Sequence, residues 1–223
     1  MKTPDYTLYV ATDRKCLKGR DLLTVLDETL AGGATIIQLR EKDISGREYF
    51  DIAREVRSLT SKYNVPLIIN DRVDIMQAVE ADGVHLGEHD IPLPEVRRIA
   101  PEKIIGYTVH NFDELRHAQD KGADYIGVGP VFKTATKTVA APTLGTAGLQ
   151  ELVQQSSIPC VAISGINSKN AFEAAACGVA GCCIISDILR ADDPKNKTRQ
   201  LKELIQKGHK LMKQDIPACE QVK

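Results

Sequence analysis

The sequence predicts an α/β protein of one domain, a (β/α)8 TIM barrel, and three observations carry that expectation. Eight short apolar runs recur along the chain, stretches of helical periodicity lie between them, and the runs start about 25 residues apart. That step suits parallel strands joined by crossover helices. The runs are "YTLYVATD", "TIIQLRE", "PLIIN", "GVHLG", "KIIGYTV", "DYIGVGP", "PCVAIS" and "GCCIIS". Strands so continuously apolar need cover on both faces of the sheet. An open doubly wound sheet would use the same units in another strand order, but eight units within 223 residues favour closure into a barrel.

Taken in order, the strands are expected to begin near residues 6, 34, 66, 83, 104, 124, 159 and 181. Helices are expected in "GRDLLTVLDETLAGG", "GREYFDIAREVRSLTSKY", "NFDELRHAQDKG" and "NAFEAAACG", where apolar residues return every three or four positions. Two segments break the rhythm. Residues 130–146, "PVFKTATKTVAAPTLGT", make a loop far longer than an ordinary strand-to-helix turn, and such loops are usually functional; we read it as a lid. From about Gln214, "QDIPACEQVK" follows a basic amphipathic helix and should fray, so the barrel is assigned to residues 1–214 and a tail to 215–223.

Composition narrows the function class. A chain of this length buries roughly 70% of its unfolded surface in one core. Its 29 lysines and arginines balance 30 acidic residues with no long run of either sign, which argues against a nucleic-acid arm or a membrane-binding face. Small-molecule substrates are the expected partners, with no nucleic acid and no membrane; a homo-oligomer is left open. The N-terminus lacks the pattern of a signal peptide, and no stretch approaches the ~18 apolar residues of a membrane span, so a soluble cytoplasmic protein is expected. The six cysteines include no C-x-x-C pair and mostly fall in apolar runs, the pattern of buried reduced thiols. Cys182 and Cys183 are adjacent in a strand and so should face opposite ways.

Polar residues at the C-terminal ends of barrel strands belong to the active-site face. In "QLREKD", strand alternation puts Gln38, Arg40 and Lys42 on one side and Ile37 and Leu39 on the other. The third strand ends in Asn70 and Asp71, the fourth leads to Asp90, and the fifth carries Thr108 and His110. The long loop adds Thr134, Thr136 and Lys137, and the last two strands end at Gly165 and Ser186. Asp71 and Asp90 follow neighbouring strands and offer two hard oxygen ligands to one cation, the kind of set magnesium takes together with waters and phosphate oxygens. Helix N-capping is the alternative for each aspartate. A zinc site from His85, His89 and Asp90 is poorer, because a strand end does not set the two histidines on one face.

Arg40, Lys42 and Lys137 approach the mouth from two sides and can neutralise phosphate oxygens. The "SGIN" turn leads toward a helix whose N-terminus favours an anion, and phosphate sites are frequent after strands 7 and 8 of such barrels. A metal-bound polyphosphate on one side and a monophosphate on the other suggest two phosphorylated substrates.

These residues resemble the thiamine-phosphate synthases from about Tyr6 to Leu189. The resemblance rests on "GGATIIQLREKD", "LIINDRVDI", "ADGVHLGEHD", "GADYIGVGPVFKTATK", "AISGIN" and "IISDI" in that order. It implies an enzyme that joins a pyrimidine methyl pyrophosphate to a thiazole phosphate, or its carboxylated form, and releases pyrophosphate. Asp71 and Asp90 would hold magnesium, and Arg40, Lys42, Asn70 and Lys137 the pyrophosphate. Gln38 would face the pyrimidine, and Thr134, Thr136, Gly165, Ile185 and Ser186 would bind the thiazole phosphate. The resemblance also implies a dissociative substitution, so Arg40, Lys42, Lys137 and Thr108 would act catalytically on the departing charge. The chain departs from the family at Thr108, where serine is usual, in the loop sequence "TATKT", and in "SGIN" where Gly-Gly-Ile is common. The rivals are a thiazole tautomerase of the same barrel family, with His110 as acid/base, and a non-catalytic thiamine-phosphate sensor. Neither needs the Asp71/Asp90 pair together with "TATK".

Overall fold

A computed structural model describes residues 3–134 and 142–214. Eight parallel strands close in sequence order: β1 (Leu8–Ala11), β2 (Ile36–Leu39), β3 (Leu67–Asn70), β4 (Gly83–Leu86), β5 (Ile104–Val109), β6 (Tyr125–Val128), β7 (Cys160–Ala162) and β8 (Gly181–Ile184). The register Leu8↔Cys182 and Tyr9↔Cys183 joins the last strand to the first. All eight begin within two residues of the positions expected from the apolar runs.

The outer layer consists of α1 (Leu22–Ala31), α2 (Gly46–Lys62), α3 (Val73–Ala78), α4 (Leu93–Ile99), α5 (Phe112–Asp120), α6 (Gly145–Gln155), α7 (Ala171–Ala176), α8 (Ser186–Leu189) and α9 (Pro194–Gln214). The strongest helix starts are legible as caps that satisfy otherwise orphaned N–H groups. Asp21 Oδ2 accepts from Thr24 N at 2.8 Å before α1, Ser45 Oγ from Glu48 N at 3.1 Å before α2, and Asn111 Oδ1 from Glu114 N at 2.9 Å before α5. Among the described residues no helix is long and apolar enough to cross a membrane.

Strand alternation divides the apolar side chains into two cores. Ile37, Leu39, Leu67, Ile69, Val84, Leu86, Ile126 and Val128 point outward and pack beneath the helices with Leu26, Val56 and Leu149. Tyr9, Ile36, Ile68, Tyr125 and Val161 point inward and fill the barrel. Cys182 belongs to the outer core and Cys183 packs on the inner one, as strand alternation requires. All five described cysteines are free thiols, and Cys219 lies outside the described residues.

The N-terminal rim is built for stability. Thr35 Oγ1 accepts from Leu8 N at 2.9 Å, Asp82 Oδ2 from Leu67 N at 2.8 Å, and Asp124 Oδ2 from Ile105 N at 2.7 Å. In each case a residue just before an even strand closes the first open donor of the preceding odd strand. Arg57 and Arg97 then pair with Asp82 and Asp124 at 2.6 Å and tie helices α2 and α4 to the same points. The opposite rim, where the chain leaves the strands, is left for chemistry.

Candidate active site

The C-terminal rim opens on a cavity of about 250 Å³. Gln38 and Arg40 enter it from β2 and the turn after it, Asn70 from β3, Thr108 from β5 and Thr134 from the loop after β6. Gly165, Ile185 and Ser186 close the far side. Eight of the residues singled out in the sequence therefore meet in one space. Thr136 and Lys137, with the centre of the loop read as a lid, lie outside the described residues, as does the tail 215–223. The base of that loop is pinned by Leu144 N to Pro130 O at 2.8 Å and Gly145 N to Val131 O at 3.0 Å.

Local structure explains how β2 delivers its charges. Thr12 Oγ1 accepts from Arg40 N at 2.9 Å, which fixes the backbone where the strand ends. Glu41, on the opposite face, is buried against Arg14 Nε at 2.7 Å. Burial pushes the Glu41 carboxyl above the usual carboxylate range, against the pull of that guanidinium. The alternation in "QLREKD" thus sends Gln38 and Arg40 to the cavity and Glu41 to a structural ion pair.

Asp71, Asp90 and Lys42 form a cluster beside the cavity. The Lys42 ammonium pairs with Asp71 Oδ2. Asp71 has φ +63°, a left-handed conformation uncommon for a residue with a side chain, and its N–H donates to His85 O at 2.9 Å. Asp90 Oδ2 accepts from Gly87 N at 2.7 Å. Its carboxyl is held above the usual range by burial and by Asp71, which lies within hydrogen-bonding reach, although the Gly87 N–H and the Lys42 charge pull the other way. Neither aspartate caps a helix: Arg72 precedes α3 and Pro92 precedes α4, each without a side-chain cap. The capping alternative is thereby removed. Two neighbouring carboxylates, one of them paired with Lys42, suit a divalent cation held by hard oxygen ligands. Among the described residues no group of three or more histidine, cysteine or acidic side chains converges on one point.

The side of the cavity expected to take a phosphate differs in detail from the sequence expectation. The helix after "SGIN", α7, is short and starts only at Ala171. The N–H groups of Asn167, Ser168 and Lys169 are taken by Asn170 Oδ1, Asp187 Oδ2 and Asn167 Oδ1 at 2.8–2.9 Å. The three N–H groups of the turn ahead of α7 are therefore not open to an anion. Gly165, Ile166 and Ser186, the first residue of α8, line the cavity instead. Gly165 has φ +75°, and a Cβ there would sit 2.6 Å from Phe132 O and 2.7 Å from Lys133 O. The turn and the loop base pack backbone against backbone.

The cavity also contains residues that the sequence reading passed over or assigned elsewhere. Tyr9, His85 and Tyr125 form its floor, and Lys133 and Arg190 add cations to its wall. Tyr9 and Tyr125 lie within the apolar runs of β1 and β6, and nothing local in those runs marks their hydroxyls as part of the site. His85, weighed as a zinc ligand, has both ring nitrogens engaged, Nδ1 with Tyr125 Oη and Nε2 with Thr108 Oγ1, each at 2.9 Å. His110 also lines the cavity, and its Nδ1 bonds Gly129 O.

Comparison with known proteins shows what the whole chain is similar to. The family model described as thiamine monophosphate synthase matches residues 8–188. A thiamine-phosphate synthase from Clostridium novyi (strain NT) is 48% identical over 198 residues, covering 88% of this chain and 97% of the relative. One from Chloroflexus aurantiacus is 45% identical over 201 residues, covering 90% and 93%. The solved structure of a thiamine phosphate pyrophosphorylase from Pyrococcus furiosus matches with a TM-score of 0.85 at 39% identity, over 93% of this chain and 98% of that one. With a matching barrel, a family match from β1 to α8 and close relatives along most of its length, the chain belongs to the thiamine monophosphate synthase family.

Proposed function

We propose that the protein is a thiamine-phosphate synthase that joins a pyrimidine methyl pyrophosphate to a thiazole phosphate, or its carboxylated form, and releases pyrophosphate. The observation that carries this reading is the Asp71/Asp90 pair with Lys42, set beside a cavity that Arg40, Asn70 and Thr108 enter. A tautomerase or a sensor has no use for a metal-carboxylate cluster next to a polyphosphate-sized set of donors.

In the proposed reaction the bond between the methylene carbon and the pyrophosphate oxygen breaks first, and its electron pair leaves with pyrophosphate. The aminopyrimidine ring carries the resulting positive charge until the thiazole nitrogen donates its lone pair and forms the new C–N bond. No side-chain nucleophile is required. Arg40 and Lys42 offset the charge that grows on the leaving oxygens, and the Thr108 hydroxyl donates to them. Asn70 helps to orient the pyrophosphate, with Lys137 assigned to the same end. Gln38 holds the pyrimidine, and Thr134, Gly165, Ile185 and Ser186 hold the thiazole phosphate, with Thr136 assigned beside them. Magnesium, bound by Asp71 and Asp90, would supply further charge neutralisation at the pyrophosphate. The inner core beneath the cavity excludes water that would trap the cation.

The test is thiamine phosphate formation by the purified protein from the two substrates, with magnesium and with a chelator. Product only with magnesium supports both the reaction and the carboxylate site. A folded protein that forms none under either condition overturns the proposal.

A further inference from the structure

Five side chains from five strands make a continuous hydrogen-bond chain across the cavity floor. Gln38 Nε2 donates to Tyr9 Oη at 2.7 Å, Tyr9 Oη meets Tyr125 Oη at 2.8 Å, Tyr125 Oη meets His85 Nδ1 at 2.9 Å, and His85 Nε2 meets Thr108 Oγ1 at 2.9 Å. Tyr9 and Tyr125 are fully buried, and Gln38 and His85 nearly so. We infer that this chain has one direction, which makes Gln38 present an acceptor and Thr108 a donor to the cavity, so that Tyr9, Tyr125 and His85 are positioning residues for both ends. The inference rests on the synthase reading for the ligands at those ends.

The direction follows from proton counting. Each hydroxyl has one hydrogen, and a neutral imidazole has one N–H and one bare nitrogen. With every link made and both buried phenol hydrogens spent within the chain, only two arrangements remain, and in each the links point the same way. With the Gln38 amide nitrogen on Tyr9, Tyr9 donates to Tyr125, Tyr125 donates to His85 Nδ1, and His85 carries its proton on Nε2 and donates to Thr108. The Thr108 hydrogen is then left for the cavity, and so is the Gln38 carbonyl oxygen. In the reverse arrangement the amide is turned over, His85 carries its proton on Nδ1, and Thr108 spends its hydrogen on the imidazole. Amide orientation is set by the network it joins.

The proposed ligands choose between the two. Departing pyrophosphate needs a donor at Thr108, and an aminopyrimidine offers N–H groups to an acceptor at Gln38. Both demands select the forward chain, so a contact at one end strengthens the contact at the other through fixed, desolvated groups. Burial also pushes the Tyr9 and Tyr125 hydroxyls well above the ordinary phenol range, which keeps them protonated and able to transmit direction. The barrel makes room for the chain with missing side chains. A Cβ on Gly106 would lie 2.4 Å from Tyr125 Oη, and one on Gly127 would lie 3.2 Å from His85 Cε1.

The test pairs a spectroscopic measurement with a kinetic cycle. Nitrogen-15 NMR of histidine-labelled protein, with the His85 signals assigned by loss in His85→Gln, should show the Nε2–H tautomer in the wild type. In Tyr125→Phe, where Nδ1 loses its donor, the tautomer should become mixed. A wild-type Nδ1–H tautomer overturns the inference. In thiamine phosphate synthesis, Tyr125→Phe should lower kcat about tenfold, the worth of one hydrogen bond, with KM for the pyrimidine pyrophosphate nearly unchanged. The Tyr125→Phe/Thr108→Val double variant should be no slower than Thr108→Val, because Tyr125 acts through Thr108. Additive losses would show an independent role for Tyr125 and overturn the inference. Tyr9→Phe gives the same cycle should Tyr125→Phe fail to fold. A wild type with the Nε2–H tautomer that makes no thiamine phosphate would defeat the functional proposal while leaving the chain's direction standing.

Discussion

Asp71 and Asp90 present their carboxylates to one another from the ends of adjacent strands, and Asp90 is held above the usual carboxylate range by burial and by this neighbour. A carboxyl whose folded pKa exceeds its unfolded value binds more protons in the folded state between the two values. Stability therefore falls as pH rises through that window. A divalent cation reverses the preference by favouring the ionised form. In chelator, Asp90→Asn should melt at or above the wild-type temperature at neutral pH and lack this pH-dependent loss. Magnesium should raise the wild-type melting temperature and leave Asp90→Asn unmoved. Equal shifts in both proteins would remove the metal from this site.

Lys42 separates activity from stability. Its pair with Asp71 is half-exposed on the lysine side, and such pairs contribute about 0–1 kcal/mol. Lys42→Ala should therefore melt within about 4 °C of the wild type. Turnover should fall ~100-fold or more, the usual loss when one stabilising group for transition-state charge is removed. Steady-state rates beside melting curves check both halves, and wild-type turnover would take Lys42 out of the mechanism.

Gly165 links the turn after β7 to the base of the long loop. Its left-handed backbone and its approach to the Phe132 and Lys133 carbonyls leave no room for a methyl group. Gly165→Ala should cost about 1–3 kcal/mol in denaturant unfolding. It should also raise KM for the thiazole phosphate more than for the pyrimidine pyrophosphate. A neutral effect on both would show that the turn relaxes freely.

The barrel was legible because strand length, helical period and spacing repeat eight times, and each signal is local. The site was legible where alternation and strand ends sufficed, as for Gln38, Arg40, Asn70 and Thr108. It was less so where function depends on distances across the barrel. Tyr9 and Tyr125 are 116 residues apart in sequence, yet their hydroxyls meet at 2.8 Å. Nothing in "YTLYV" or "DYIGV" distinguishes them from filling. His85 was weighed for a metal because its neighbours in sequence are His89 and Asp90, whereas its partners in space are a tyrosine and a threonine. The part of the "SGIN" turn open to a ligand was illegible for a related reason: the side chains of Asn170, Asp187 and Asn167 take the N–H groups of Asn167, Ser168 and Lys169 that the turn alone would have left open.

Tyr49 shows how the outer layer holds the site. The residue is buried in α2, and its hydroxyl reaches Leu39 O at 2.8 Å and Asn70 O at 3.3 Å. Those carbonyls end β2 and β3, immediately before Arg40 and Asp71. One hydroxyl thus ties together the two strand ends that carry Arg40 and the carboxylate proposed to hold magnesium. Removing it takes this donor from Leu39 O and leaves Asn70 O to the Arg72 N–H, while the ring still fills its space. Tyr49→Phe should lose about 1–2 kcal/mol of stability in denaturant unfolding. It should also lower kcat/KM several-fold, since misplacement of supporting groups weakens catalysis. The magnesium-induced rise in melting temperature should shrink with it, because Asp71 starts where Asn70 is anchored. A variant that loses stability but keeps wild-type kinetics and the full magnesium shift would confine Tyr49 to the core.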